Sequence, residues 1–147
     1  MTIQDDIDAI ESFLISDLDV HVIFGSEEPN AYWEDVSGIC ISVNTNQSKK
    51  LQLYSILHEA GHAIVRRRDR YDVLYPYGRA PKKNICISKR VDTLREEIAA
   101  WEEGEILANK FGMELNMSQW HKFMKKNIFE YIKWAYDPNN YNIIKNK

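Results

Sequence analysis

No lysine or arginine occurs before Lys49, and that gap is filled with acid: Asp5, Asp6, Asp8, Glu11, Asp17, Asp19, Glu27, Glu28, Glu34 and Asp35 all precede the first cation. The formal net charge over the 147 residues is −3, which argues against generic nucleic-acid binding. The basic residues gather in the middle, at Arg66, Arg67, Arg68, Arg70, Arg79, Lys82, Lys83, Lys89, Arg90 and Arg95. Such asymmetry predicts a molecule with two differently charged faces, with a partner-binding surface as the sharper alternative. Cysteine is nearly absent. Cys40 and Cys86 are too few and too far apart for a disulfide framework and fit a reducing compartment. No apolar run is long enough to cross a bilayer, and the acidic start lacks the basic residues of an export signal. The expectation is a cytoplasmic protein. Glycine and proline are also sparse, at 6 and 4, and no segment is of low complexity.

What is present reads as one α+β domain over residues 1–147, with a polar tail from 138. Ile3, Ile7, Ile10 and Leu14 recur at helical spacing behind Thr2, a natural cap. Residues 20–24 form a short strand ended by Gly25, and 26–38 read as a loop carrying the pair Tyr32-Trp33. Alternation in Ile39, Ile41 and Val43 predicts a half-buried strand over 38–43, with Cys40 in the core. From Lys49 to Arg68 the pattern is that of a central buried helix. A long excursion over 70–92, with 85–87 as a short strand, precedes helices at 93–111 and 118–136. The order is α-β-β-α-loop-α-α: a small sheet on a central helix, followed by a helical half.

The chemistry concentrates in His58-Glu59-Ala60-Gly61-His62, an HExxH motif inside that central helix. Residues four apart share a helical face, so both imidazoles can reach one ion, and neutral imidazole suits zinc. Glu59, turned about 100° from His58, can hold a water and act as general base without being a ligand. Gly61 costs about 1 kcal/mol against Ala in a helix interior, which implies that something packs closely there. A chance meeting of two histidines and a glutamate belongs on a surface helix, whereas Ile56, Leu57, Ala63, Ile64 and Val65 make this one apolar.

Catalytic zinc generally takes three protein ligands. Among Glu96, Glu97, Glu102, Glu103 and Glu105, the last three read as a solvated face. Glu97 shares a stripe with Leu94, Trp101, Gly104, Ala108, Phe111 and Leu115, while Glu96 lies at its edge. A carboxylate amid apolar neighbours must be paired or bind a metal. Glu97 is therefore the expected third ligand, with Glu96 in reserve. His121, on a stripe with Met117, Met124, Ile128 and Ile132, reads as a core histidine or a distant third ligand, and His21 as structural. Tyr71, Tyr75 and Tyr77 are equal candidates to stabilise an oxyanion. The run Arg66-Arg67-Arg68 is expected to end the helix in solvent.

An apolar strand at Ile39 to Val43, a polar turn, the helix Leu57 to Ala63 and then Glu97-Ile98-Ala99-Ala100-Trp101 resemble the ImmA/IrrE-type metallopeptidases, which are compact gluzincins. The resemblance covers roughly residues 36–112, and short chains of this style are similar to proteins predicted from phage and prophage genomes. It implies a zincin-like fold and limited proteolysis of a regulatory protein such as a transcriptional repressor. It also implies strand 38–43 as the sheet edge on which an extended substrate would add. A zinc-containing binding module without hydrolysis is the alternative, disfavoured by retention of Glu59. Nucleic-acid binding through residues 66–95 is a third reading, which would show as steep salt dependence.

Overall fold

The computed structural model describes residues 2–81 and 85–142. Five helices and a three-stranded sheet follow the order α1 (Ile3–Asp17), β1 (His21–Gly25), β2 (Ala31–Asp35), β3 (Gly38–Asn44), α2 (Lys49–Arg66), α3 (Tyr71–Leu74), α4 (Ile87–Lys110) and α5 (Met117–Tyr136). The architecture is mixed α+β. Helix α1 begins with a reciprocal capping box: Thr2 Oγ1 accepts from the Asp5 amide, and Asp5 accepts from the Thr2 amide. Its apolar positions Ile7, Ile10 and Leu14 are buried against the core.

The sheet departs from expectation in one respect that matters for function. Its strand order is β1-β3-β2, with β1 parallel and β2 antiparallel to β3. Strand β3 is thus the central strand, paired on both sides, and offers no edge. Its burial fits that place, with Cys40, Ile41, Ser42 and Val43 all buried. The edges belong to β1 and to β2, and β2 lies inside the segment read as a loop. Five residues between Asn30 and Val36, two of them aromatic, suffice for a strand once β3 supplies the pairing. The Ser42 hydroxyl donates to the Pro29 carbonyl at 2.6 Å and so ties the approach to β2 onto the central strand.

Helix α2 is the centre of the molecule, touching α1, β2, β3 and α4. Ser48 caps its start, accepting from the Leu51 amide. Its closest neighbour is α4, and two glycines set the distance. A methyl group on Gly61 would collide with the Ala100 carbonyl of α4, and one on Gly104 would stand 2.7 Å from the Leu57 carbonyl oxygen of α2. The backbones touch at two points about one helical turn apart, on Leu57/Gly104 and Gly61/Ala100. Trp120 of α5 fills the wedge beneath, fully buried and edge-on to both Tyr54 and Trp101.

The segment after α2 is more helical than its prolines and glycine suggest. Tyr71–Leu74 forms the short α3, and α4 begins at Ile87, so 85–87 forms no strand. Residues 82–84, with Lys82 and Lys83, lie outside the described residues. Arg66 does not point into solvent. It folds back and pairs with Glu34 and Glu96, while Arg68 pairs with Glu103 and Arg79 with Glu34 and Asp72. Much of the basic middle is thereby neutralised by acid from elsewhere.

The Gly61→Ala variant should lower the unfolding free energy read from urea titration by the roughly 1–3 kcal/mol typical of overpacking or more, because the obstacle is backbone. Gly104→Ala should cost less. A Gly61→Ala protein as stable as wild type would mean that the helices are not held this close.

Candidate metal centre

The close approach of α2 and α4 brings three ligating residues together. His58 and His62 sit one turn apart on α2, and Glu97 of α4 faces both. His58 Nε2 lies 2.6 Å from Glu97 Oε1, and His62 Nε2 lies 3.1 Å from Glu97 Oε2. The three candidate ligand atoms fall within 4.8 Å of one another, and all three residues are buried. His58 Nε2 and Glu97 Oε1 are close, yet neither has a partner in hydrogen-bonding geometry. Burying a polar atom unpartnered is costly, so both atoms suit a shared partner beside them. A set of two imidazoles and a carboxylate suits a divalent ion of the zinc type. The cluster could hold such an ion.

Each imidazole is held flat by an aromatic ring. Trp101 stacks on His58 at 4.1 Å and 13°, and Tyr32 of β2 stacks on His62 at 4.1 Å and 16°. The Trp101 indole nitrogen donates to Asn127 at 2.9 Å, which ties the arrangement to α5. Glu59 is buried beside His58, its Oε1 3.3 Å from His58 Nδ1, and does not belong to the three-residue cluster.

Glu96 is as buried as Glu97 but faces another way. Its Oε2 lies 2.8 Å from His62 Nδ1 and accepts from the Tyr32 hydroxyl; its Oε1 accepts from Arg66 Nε at 3.1 Å and from the Tyr71 hydroxyl. The rotation of about 100° between neighbouring helical residues sends Glu97 to the ring Nε2 atoms and Glu96 to the far side of His62. Glu96 was expected at the stripe's edge; its burial follows from these donors. His121 does not join the cluster. It is half-exposed on α5 and pairs with Glu105 at 3.2 Å. His21 is exposed on β1.

The tyrosines also sort themselves. Tyr71 is bound to Glu96, Tyr75 packs on Tyr71 and under Arg95, and Tyr77 is exposed. Among the described residues, the phenol that comes near the cluster is Tyr131 of α5, which feels the charges of Glu97 and Glu59. Burial and then the two carboxylates push it well above the ordinary tyrosine range, so it remains an O–H donor. The sequence held one signal for it: Tyr131 follows Met124 by seven residues and so shares its inward stripe.

Electrostatics bind the cluster tightly even without an ion. Burial alone would lower the His62 pKa, but Glu97 and Glu96 outweigh it and raise it to about 10. His58 is raised likewise, with burial opposing and Glu97 and Glu59 prevailing. Glu96 falls to about 2, its burial overcome by His62, Arg66 and Tyr32, and Glu97 falls further through the two histidines.

A groove of about 1140 Å³ runs over this centre. One wall is α2, from Leu51 past Tyr54, Ser55, His58 and His62 to Arg66; the other is β2. Asn30 beside Gln47 and Glu34 beside Arg66 show that β2 and α2 run in the same direction. Among the described residues, no helix is long and apolar enough to cross a membrane. No family model, curated protein or solved structure matches the chain, so the site's own chemistry carries the functional reading.

The pKa directions fix a pH dependence for the metal-free protein. The raised His62 pKa contributes stability that is complete below 6.5 and lost as pH rises toward about 10. The lowered Glu96 pKa contributes stability that is complete above 4.5 and lost as pH falls toward about 2. Thermal unfolding in chelator should therefore peak between pH 4.5 and 6.5. Added zinc should reverse the alkaline slope, because it needs the imidazoles deprotonated. A metal-free protein that gains stability above pH 6.5 would contradict the pairing.

Proposed function

We propose that the protein is a zinc-dependent peptidase that cleaves an extended segment of a protein partner. The observation that carries this reading is the buried cluster of His58, His62 and Glu97 with two unsatisfied ligand atoms, set beside Glu59 at the floor of a groove. Zinc, held by His58, His62 and Glu97, would supply a Lewis acid there that makes water more acidic and polarises a carbonyl. Glu59 takes a proton from the attacking water as its oxygen bonds to the peptide carbon, then delivers that proton to the departing amine nitrogen as the C–N bond breaks. Tyr131 donates its hydroxyl to the oxygen that gains negative charge on attack. Trp101 and Tyr32 keep the two imidazoles from turning.

The groove suits an extended chain. The outer edge of β2, unpaired in the three-stranded sheet, can add a strand by backbone hydrogen bonds, and it takes the place expected for residues 38–43. Along the groove, Leu51, Tyr54 and Phe123 offer an apolar wall before the metal cluster, and Arg66 and Arg79 stand beyond it. The partner we propose, from the resemblance to ImmA/IrrE-type metallopeptidases, is a regulatory protein such as a repressor, cleaved at a chosen sequence in the cytoplasm. A peptide-binding module with the same zinc site is the second reading. The buried Glu59 speaks against it, since a purely structural site has no use for an additional carboxylate.

The purified protein should bind about one zinc per chain, as single catalytic sites do. Glu97→Ala should weaken that binding far more than His121→Ala at the same pH, by dye competition. Equal losses would remove Glu97 from the site. Zinc-loaded wild type, incubated with a library of peptides from digested cell protein, should produce new termini detected by mass spectrometry. Glu59→Gln should retain zinc and lose cleavage, and Tyr131→Phe should retain zinc and cleave about 10²–10³-fold more slowly, the scale for losing one oxyanion donor. Unchanged cleavage by Glu59→Gln would overturn the mechanism; a wild type that binds zinc and cleaves nothing would favour the binding module.

A further inference from the structure

We propose that Glu96 is a positioning residue that fixes the orientation and tautomer of His62 before the metal arrives, an inference that rests on the metal reading of the neighbouring cluster. An imidazole has two nitrogens, and the one that donates to a carboxylate leaves the other free to ligate. His62 places Nδ1 2.8 Å from Glu96 Oε2, on the side of the ring away from the cluster, and Nε2 toward Glu97. That geometry selects the ring with its hydrogen on Nδ1, the tautomer whose Nε2 lone pair faces the cluster.

Glu96 can do this because it cannot do much else. Its two oxygens receive His62 Nδ1, Arg66 Nε and the hydroxyls of Tyr32 and Tyr71, so the carboxylate is held from four directions. The donors come from three parts of the fold: β2, α2 and α3. Swinging Glu96 away would take from Arg66 Nε and from the Tyr32 and Tyr71 hydroxyls the carboxylate they share. The two histidines are therefore held differently. Among the described residues, His58 Nδ1 has Glu59 beside it at 3.3 Å, whereas His62 is anchored to a network that includes the edge strand.

The test compares wild type, Glu96→Gln and Glu96→Ala, each confirmed as folded by circular dichroism. Two quantities are read: zinc affinity by competition with a chelating dye, and the His62 Nδ1 proton resonance of the zinc-loaded protein in long-range ¹H–¹⁵N spectra. Glu96→Ala strands Arg66 and the phenols, so the isosteric Glu96→Gln variant decides. It should bind zinc roughly 10–100-fold more weakly, the scale for removing a ligand's outer partner. Its His62 Nδ1 proton should move upfield or be lost to exchange, because a neutral amide replaces the carboxylate. A folded Glu96→Gln protein with wild-type affinity and an unmoved Nδ1 resonance overturns the proposal while leaving the metal site standing. A wild type that binds no zinc removes the metal reading, and the proposal with it.

Discussion

Everything at this site depends on two helices touching backbone to backbone. With any side chain at position 61, α4 could not lie where it does, and Glu97 would be too far from His58 and His62 for one ion to join them. Helix axes in ordinary packing stand 8–10 Å apart, with side chains between them. Here the side chains have been removed from the contact line. What replaces them is a strip of main chain, Leu57 to Gly61 against Ala100 to Gly104, that behaves as a hinge-free joint. The ligand-bearing residues flank that strip: His58 and His62 on one helix, Glu97 one turn before Trp101 on the other.

A second consequence of that joint is the burial of charge. Glu59, Glu96, Glu97, His58 and His62 are all buried, a density tolerable only if each group has an opposite or a donor. The chain meets this by layering. Nearest the groove lie the two imidazoles and Glu97; outside them Glu96 with Arg66, Tyr32 and Tyr71; outside those the Arg66–Glu34–Arg79–Asp72 series reaching solvent. Charge alternates in sign from centre to surface. The acidic N-terminal third and the basic middle of the sequence are thus joined across the sheet edge, where Glu34 meets Arg66 and Arg79.

The HExxH helix and the inward face of Glu97 were legible because each is a local property, set by spacing along one helix. Gly61 was legible for the same reason: a residue that weakens its own helix needs a reason outside it, and Ala100 is that reason. Strand β2 was not, because its five residues have no period of their own and become a strand only by pairing with β3. The misplacement of the sheet edge follows directly, since strand order is a long-range fact. Arg66 was misread because a helix-terminal arginine ordinarily prefers solvent, and nothing local announced that Glu34 and Glu96 would converge on it. Glu96 itself shows the limit of stripe arithmetic, which gave its direction correctly but not what stands in that direction.

The stacking of Trp101 on His58 has an optical side. Indole emission is quenched by a protonated imidazole in face contact and much less by a neutral one. Their rings lie 4.1 Å apart and nearly parallel, so the brightness of Trp101 follows the charge on His58. An ion that takes the His58 lone pair expels its proton and changes that charge. Trp101 is one of four tryptophans, so its share of the emission, isolated by replacing the other three, would report the charge on His58 without a label.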